Sequence, residues 1–204
     1  QHSEHKGINQ LVKDLNFLYR EKPALYARDT SPEGFEWMNC ISSEKCMLAF
    51  VRKGHREEDT LLVIANFAGA QQEFTVGVPY EGKYKELLNT DNKIYGGKSG
   101  SQTRARAVQE EEADGRECSL TVTLAPLSLV IYSFVPFTRK EKLEIEKRKA
   151  EKEAKEQAVQ AEQAAVQARE EVLAAQKALE EAMEKATRAE ELAARIFQEL
   201  RHGV

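Results

Sequence analysis

The chain has 204 residues, a formal net charge of −4, 31% charged residues and 7% aromatic residues. That length suits one ordinary domain plus an extension, and the balanced charge excludes both a strongly basic nucleic-acid binder and an acidic solvating tail. The averages conceal a sharp division at Pro136–Phe137. From Thr138 onward, 67 residues hold 14 Lys/Arg, 15 Asp/Glu, 15 Ala and a single aromatic, Phe197, while the preceding residues hold the remaining aromatics. The front can therefore build a core, and the back cannot bury one alone.

In chain order, Glu4–Arg20 carries Ile8, Leu11, Val12, Leu15, Leu18 and Tyr19 at offsets of three, four and seven, which mark one face of a helix. Ser3 is placed to cap it and Pro23 to stop it. A single amphipathic helix needs something to pack on, so a chain opening on one reads as a cut piece or a fragment.

From Gly34 to Val135 the period changes to that of strands. Candidates are Phe35–Cys40, Met47–Arg52, Leu61–Phe67, Glu73–Val78, Tyr84–Leu88, Arg106–Gln109, Ser119–Leu124 and Leu129–Val135. Most are rich in β-branched or aromatic residues and bounded by turn residues such as Ala68-Gly69 and Glu81-Gly82. Thr121 and Thr123 alternate with Leu120, Val122 and Leu124, the pattern of a half-buried strand. Short strands in this number without intervening helices predict a β-sandwich. Gly96-Gly97-Lys98-Ser99-Gly100-Ser101 reads as a flexible loop.

Thr138 to His202 contains neither Gly nor Pro and predicts one continuous helix of about 95 Å. Its first third is Lys/Glu-rich, with Glu144–Arg148 and Glu151–Lys155 in the favourable order for helix pairs. Beyond it runs a strict repeat: Ala158, Ala161, Ala165, Ala168, Val172, Ala175, Leu179, Ala182, Ala186, Ala189, Ala193, Ile196 and Leu200. Steps alternating three and four make a heptad seam. It reads either as a pairing face for another helix, self or foreign, or as one face of a solvated helix held by charge pairs and alanine propensity.

Catalytic chemistry is hard to find. No run of about 18 apolar residues spans a membrane, and no signal-peptide core follows the N-terminus. Cys40, Cys46 and Cys118 lack metal-ligand spacing with each other or with His2, His5, His55 and His202, so they read as reduced thiols of a cytoplasmic protein, Cys40 and Cys46 on two arms of a hairpin. Gly97-Lys98-Ser99 mimics the end of a phosphate loop, but Asn92 stands where that loop needs its first glycine. Asp29, Glu33 and Glu36 lie near one another without a pocket scaffold and read as solvated surface acids. Aromatic rings for sugar stacking are better supported. Trp37 shares a strand face with Phe35, and Tyr80, Tyr84 and Tyr95 lie at or near strand ends and loops; each of these rings has core packing as its alternative role.

The residues His5-Lys6-Gly7-Ile8-Asn9-Gln10-Leu11-Val12-Lys13-Asp14-Leu15-Asn16, Gly34-Phe35-Glu36-Trp37, Phe50-Val51-Arg52, Ala65-Asn66-Phe67, Gly82-Lys83-Tyr84-Lys85-Glu86-Leu87-Leu88-Asn89-Thr90-Asp91 and Leu124-Ala125-Pro126-Leu127-Ser128 follow one another in a specific order. Over residues 5–135 this order resembles the C-terminal end of bacterial glycogen branching enzymes of the α-amylase superfamily. The resemblance implies a mainly β plus α fold: an amylase-type C-terminal β-sandwich at 26–137, preceded at 1–25 by the last helix of a catalytic barrel. A long single α-helix with an Ala-rich heptad seam follows at 138–204, outside the family's usual pattern. It further implies a parent enzyme that cleaves an α-1,4 glucan bond and remakes it as an α-1,6 branch through an aspartate nucleophile and a glutamate acid/base. Neither is carried by this chain, so no catalytic residue is assigned, and no metal or cofactor is expected. Implied partners are α-glucan or glycogen and the parent's barrel, with no nucleic acid and no membrane. Trp37, Tyr84 and Tyr95 are the candidate substrate-binding residues, although family members often have Trp where Tyr84 stands. The alternative reading is a non-catalytic carbohydrate-binding or structural β-sandwich module with a coiled-coil docking arm.

Overall fold

The computed structural model describes residues 3–40, 43–102 and 104–202 and divides into two compact units, 1–140 and 141–204. The first unit opens on helix α1 (Ser3–Glu21), ended by the Pro23–Leu25 3₁₀ turn. Eight strands follow: β1 (Phe35–Asn39), β2 (Met47–Arg52), β3 (Leu61–Asn66), β4 (Gln72–Val78), β5 (Gly82–Asn89), β6 (Arg106–Ala107), β7 (Cys118–Leu124) and β8 (Ser128–Pro136). They form an antiparallel six-stranded sheet in the order β1-β2-β3-β8-β5-β6 and a two-stranded sheet of β4 and β7. The capping role expected of Ser3 lies outside the described side chains.

Two cores lie on opposite faces of the larger sheet. On the inner face, Ala49, Val51, Leu62, Ile64, Val130, Tyr132 and Phe134 pack against Phe74, Val76, Leu120, Val122 and Leu124 of the smaller sheet. This is the sandwich, and it explains the alternation in β7, where Leu120, Val122 and Leu124 point inward while Thr121 turns out to meet Thr75 at 2.8 Å across the strand pair. On the outer face, Leu61, Val63, Leu88 and Ile131 pack with Leu18 of α1 and Ala24. β3 is buried along its whole length because it serves both cores.

Two turns are fastened by side chains rather than by packing. Asn66 is 1% exposed: its Nδ2 donates to the Ala70 carbonyl at 2.9 Å and the Ala125 carbonyl at 2.8 Å, while its Oδ1 accepts from the Ala68 amide at 2.9 Å. One amide thus locks the β3–β4 turn to the β7–β8 turn. At the end of β5, Asp91 accepts from the Lys98 amide, the Ser99 amide and the Ser99 hydroxyl. A Cβ on Gly97 would lie 2.0 Å from the Asp91 carbonyl oxygen. The glycine loop, expected from composition to be free, is therefore held against Asp91.

The second unit is built on helix α2 (Arg139–His202), continuous as its lack of Gly and Pro predicts. Lys152–Glu156 and Glu184–Arg188 make i,i+4 ion pairs at 3.9 and 3.5 Å. The seam residues Val172, Leu179 and Ile196 are exposed.

Replacing Asn66 by Ala removes three hydrogen bonds at once, two to the Ala70 and Ala125 carbonyls and one from the Ala68 amide. It is expected to cost roughly 2–4 kcal/mol, at about 0.5–1.5 kcal/mol for each bond, read as a lower midpoint in urea unfolding. Thr123→Ala, on the exposed face of β7, should stay within about 0.5 kcal/mol of the parent.

Candidate functional site

Trp37 stands on β1, an edge strand, and is 51% exposed. The strand period places Phe35 on the same face, and the β1–β2 register sets Phe50 directly across from Trp37. The three rings form one cluster. Phe35 meets Trp37 edge-on at 5.0 Å, Phe50 meets it edge-on at 5.8 Å, and Phe35 stacks on Phe50 at 5.2 Å. These edge contacts fix the indole while half of its surface stays open. Such a ring offers a flat apolar face to solvent without the ordering cost of a free side chain.

The strand beneath is tied down on both sides. On the face opposite the rings, the Glu36 carboxylate pairs with Lys53 and with Arg116, which joins β1 to the neighbourhood of the smaller sheet. On the ring face, Arg52 binds the Asp29 carboxylate at 2.6 Å and donates to the Ala24 and Leu25 carbonyls at 3.4 Å, holding the segment between α1 and β1. Gly34 opens the motif because a Cβ there would lie 2.2 Å from the Arg28 carbonyl oxygen. The acids near Trp37 are thus engaged: Asp29 by Arg52, Glu36 by two cations, and Glu33 by the Ser31 hydroxyl, whose hydrogen bond lowers the carboxyl below its ordinary range. They do not face one another across a cleft.

The other two sequence candidates stand elsewhere and in other roles. Tyr84 has no exposed surface; its ring packs at 5.6 Å from Phe134 in the inner core and its hydroxyl donates to the Tyr80 carbonyl at 3.4 Å. Burial raises its phenol above the ordinary tyrosine value. The expected stacking role does not fit this placement: β5 turns Tyr84 inward, where no ring face is free for a sugar. Tyr95 follows β5 in the Lys93–Tyr95 3₁₀ turn, packs against the outer core and donates to Asp14 Oδ2 of α1 at 2.7 Å. Burial, then the Asp14 carboxylate, push its phenol up to about 12. It is a strut under α1. Phe50 belongs to a quoted motif but not to the candidate binding rings; the hairpin register places it opposite Trp37.

A second exposed apolar surface lies on α1. Leu11 and Leu18 face the sheet, while Ile8, Val12, Leu15 and Tyr19 of the same amphipathic stripe remain exposed, with Phe17 beside them. Tyr19 and Tyr26 pair at 6.1 Å between ring centres. Among the described residues, no cluster of three or more His, Cys, Asp or Glu could hold a metal ion, and no helix is long and apolar enough to cross a membrane.

Residues 37–135 match the alpha amylase C-terminal all-beta domain. Over 132 residues the chain is 36% identical to the 1,4-alpha-glucan branching enzyme GlgB of Synechococcus elongatus, covering 64% of this chain and 17% of that enzyme. It is 39% identical over 131 residues to the enzyme of the same name from Aquifex aeolicus, 64% and 21% being covered, and 43% identical over 128 residues to that of Rubrobacter xylanophilus, 62% and 18% being covered. The front of the chain is similar to the C-terminal part of glycogen branching enzymes. The chain thus spans about a fifth of the length of the curated relatives it matches. Among solved structures, the trehalulose synthase MutB from Pseudomonas mesoacidophila is similar at a TM-score of 0.41 and 20% identity, over 62% of this chain and 17% of that one. A likeness that low decides nothing further.

Tyr95→Phe removes the hydrogen bond to Asp14 and keeps the ring. It is expected to cost about 1 kcal/mol and to speed amide exchange in α1 more than in β3. Alkali has a defined sign. Tyr95 and Tyr132 have phenols raised to about 12, both chiefly by burial, so the stability tied to their neutral forms is complete below pH 10 and is lost as pH rises toward 12. Absorbance titration should show these phenols ionising together with unfolding.

Proposed function

We propose that residues 26–137 act as the C-terminal β-domain of a branching enzyme, supporting a catalytic barrel and contributing to the binding of α-glucan, with residues 1–25 as the last helix of that barrel. The observation that carries the reading is the match of residues 37–135, which open on the half-exposed Trp37, to the alpha amylase C-terminal all-beta domain, together with the 36% identity to a branching enzyme over 132 residues. Ile8, Val12, Leu15 and Tyr19 are the surface a barrel would cover. The whole protein would then cleave an α-1,4 bond, hold the glycosyl piece on an aspartate, and transfer it to a 6-hydroxyl, in a cytoplasmic setting. The chain alone supplies neither nucleophile nor acid/base and should form no α-1,6 linkages in amylose.

Trp37 would take the apolar face of a glucose unit on its open ring, with Phe35 and Phe50 keeping the indole upright. Tyr84 has no part in this, and Tyr95 serves by holding α1. A second reading, a non-catalytic carbohydrate-binding module with a helical docking arm, is favoured by one feature, the long α2 with its seam. Under either reading α2 is an arm that pairs with another helix.

The test is Trp37→Ala in the full-length gene product, with glucan affinity and melting temperature measured together. Affinity should fall by the roughly 1–3 kcal/mol of a stacking contact, by analogy with base stacking, while the melting temperature changes little. A large fall in melting temperature with unchanged affinity would show that the ring serves packing alone. An open reading frame running upstream of Gln1 into a catalytic barrel separates the two readings.

A further inference from the structure

The seam of α2 has a pattern of sizes that specifies its partner. Of its thirteen positions nine are Ala, and the larger residues are Val172, Leu179, Ile196 and Leu200. Steps of three and four keep all of them on one stripe of a gently supercoiled helix. We propose that this stripe pairs with the same stripe of a second copy of the chain, running antiparallel, in the register that sets Leu179 opposite Ala182. The proposal rests on reading α2 as a pairing arm and does not depend on the glucan reading of the front unit.

In that register Val172 meets Ala189, Ile196 meets Ala165 and Leu200 meets Ala161, while Ala168 meets Ala193 and Ala175 meets Ala186; the two-fold repeats each layer. Every large residue therefore lies against an alanine and no layer holds two large ones. The helices can keep one close separation of about 8 Å along the whole contact. A parallel pair in register does the opposite. It puts Leu179 on Leu179 and Ile196 on Ile196, with Ala-on-Ala layers at Ala175 and Ala182, so one separation cannot satisfy neighbouring layers.

The flanking positions agree with the antiparallel register. Arg169 comes beside Glu190 of the other copy, twice by symmetry; Met183 flanks Gln176, Lys185 flanks Ala178 and Glu171 flanks Leu192, so no like charges face each other there. Val172, Leu179, Met183, Leu192 and Ile196 are exposed in the single chain and would all gain cover. The Lys/Glu-rich stretch 139–157 falls outside the overlap, which accounts for its lack of a seam.

The experiment uses the full 204-residue chain. Sedimentation equilibrium should give a mass twice the 23.1 kDa of one chain, and Leu179→Glu with Ile196→Glu should return it to one chain with the near-ultraviolet dichroism of the front unit unchanged. Orientation is read by disulfide trapping after Cys40→Ser and Cys46→Ser, which remove the exposed thiols. Chains with Ala168→Cys mixed with chains carrying Ala193→Cys should cross-link at least ~10-fold faster than either alone, because only the mixed pair is held at high effective concentration. A monomer, a higher oligomer, a dimer that survives the double substitution, or self-cross-linking of Ala168→Cys as fast as the mixture would overturn the proposal. None of these results depends on glucan binding, so they stand apart from the fate of the Trp37 reading.

Discussion

The front unit hangs on β3. Its side chains are buried on both faces, Leu62 and Ile64 in the inner core and Leu61 and Val63 in the outer one. It is also paired on both edges, with β2 and β8. A strand in that position cannot slip by one residue without exchanging the occupants of two cores. Its register therefore sets where the smaller sheet lies, where α1 lies, and, through β2, where Phe50 comes opposite Trp37. Asn66 extends the same constraint past the strand's end, tying two turns far apart in sequence to one buried amide.

The outer face of the larger sheet is only partly covered. Leu11, Leu18 and Ala24 protect its middle, and Tyr95 anchors the helix through Asp14. What remains open is apolar: the outward stripe of α1, and the aromatic cluster at the β1 edge. An edge strand carrying exposed rings is a liability unless something occupies that face. Here the strand below is fixed by the Glu36 ion pairs and the Arg52 contacts, so the open indole sits on a rigid support. Rigid support and open ring together are what a stacking contact needs, because the ordering cost is met by the fold rather than by the ligand.

The second unit obeys different physics. Almost every described side chain of α2 is exposed, and its continuity comes from propensity, charge pairs and the absence of helix breakers rather than from a core. Its information lies along the stripe, in the order of large and small residues. That order has no consequence for a single helix and a definite one for two.

The local elements were set by the sequence alone. The apolar spacing of α1, the stop at Pro23, the alternation of β7, the continuous apolar run of β3 and the unbroken α2 are short-range patterns, and each element forms within a residue or two of where its pattern lies. The family's ordered motifs were legible too, and the structure gives several of them a mechanical reason: Asn66 as a knot, Asp91 as a clamp, Gly34 as a close approach. What only the tertiary structure decided was which face of each strand met which layer. Tyr84 and Trp37 both sit on alternating strands, and alternation says that neighbours oppose without saying which side is covered. The smaller sheet closes over the side that holds Tyr84, so that ring became core, while β1 lies at the edge of the other side and left Trp37 half open. Tyr95 was decided by a partner 81 positions away, Asp14. Burial is a property of pairs of surfaces brought together by the whole chain, so no local pattern holds it.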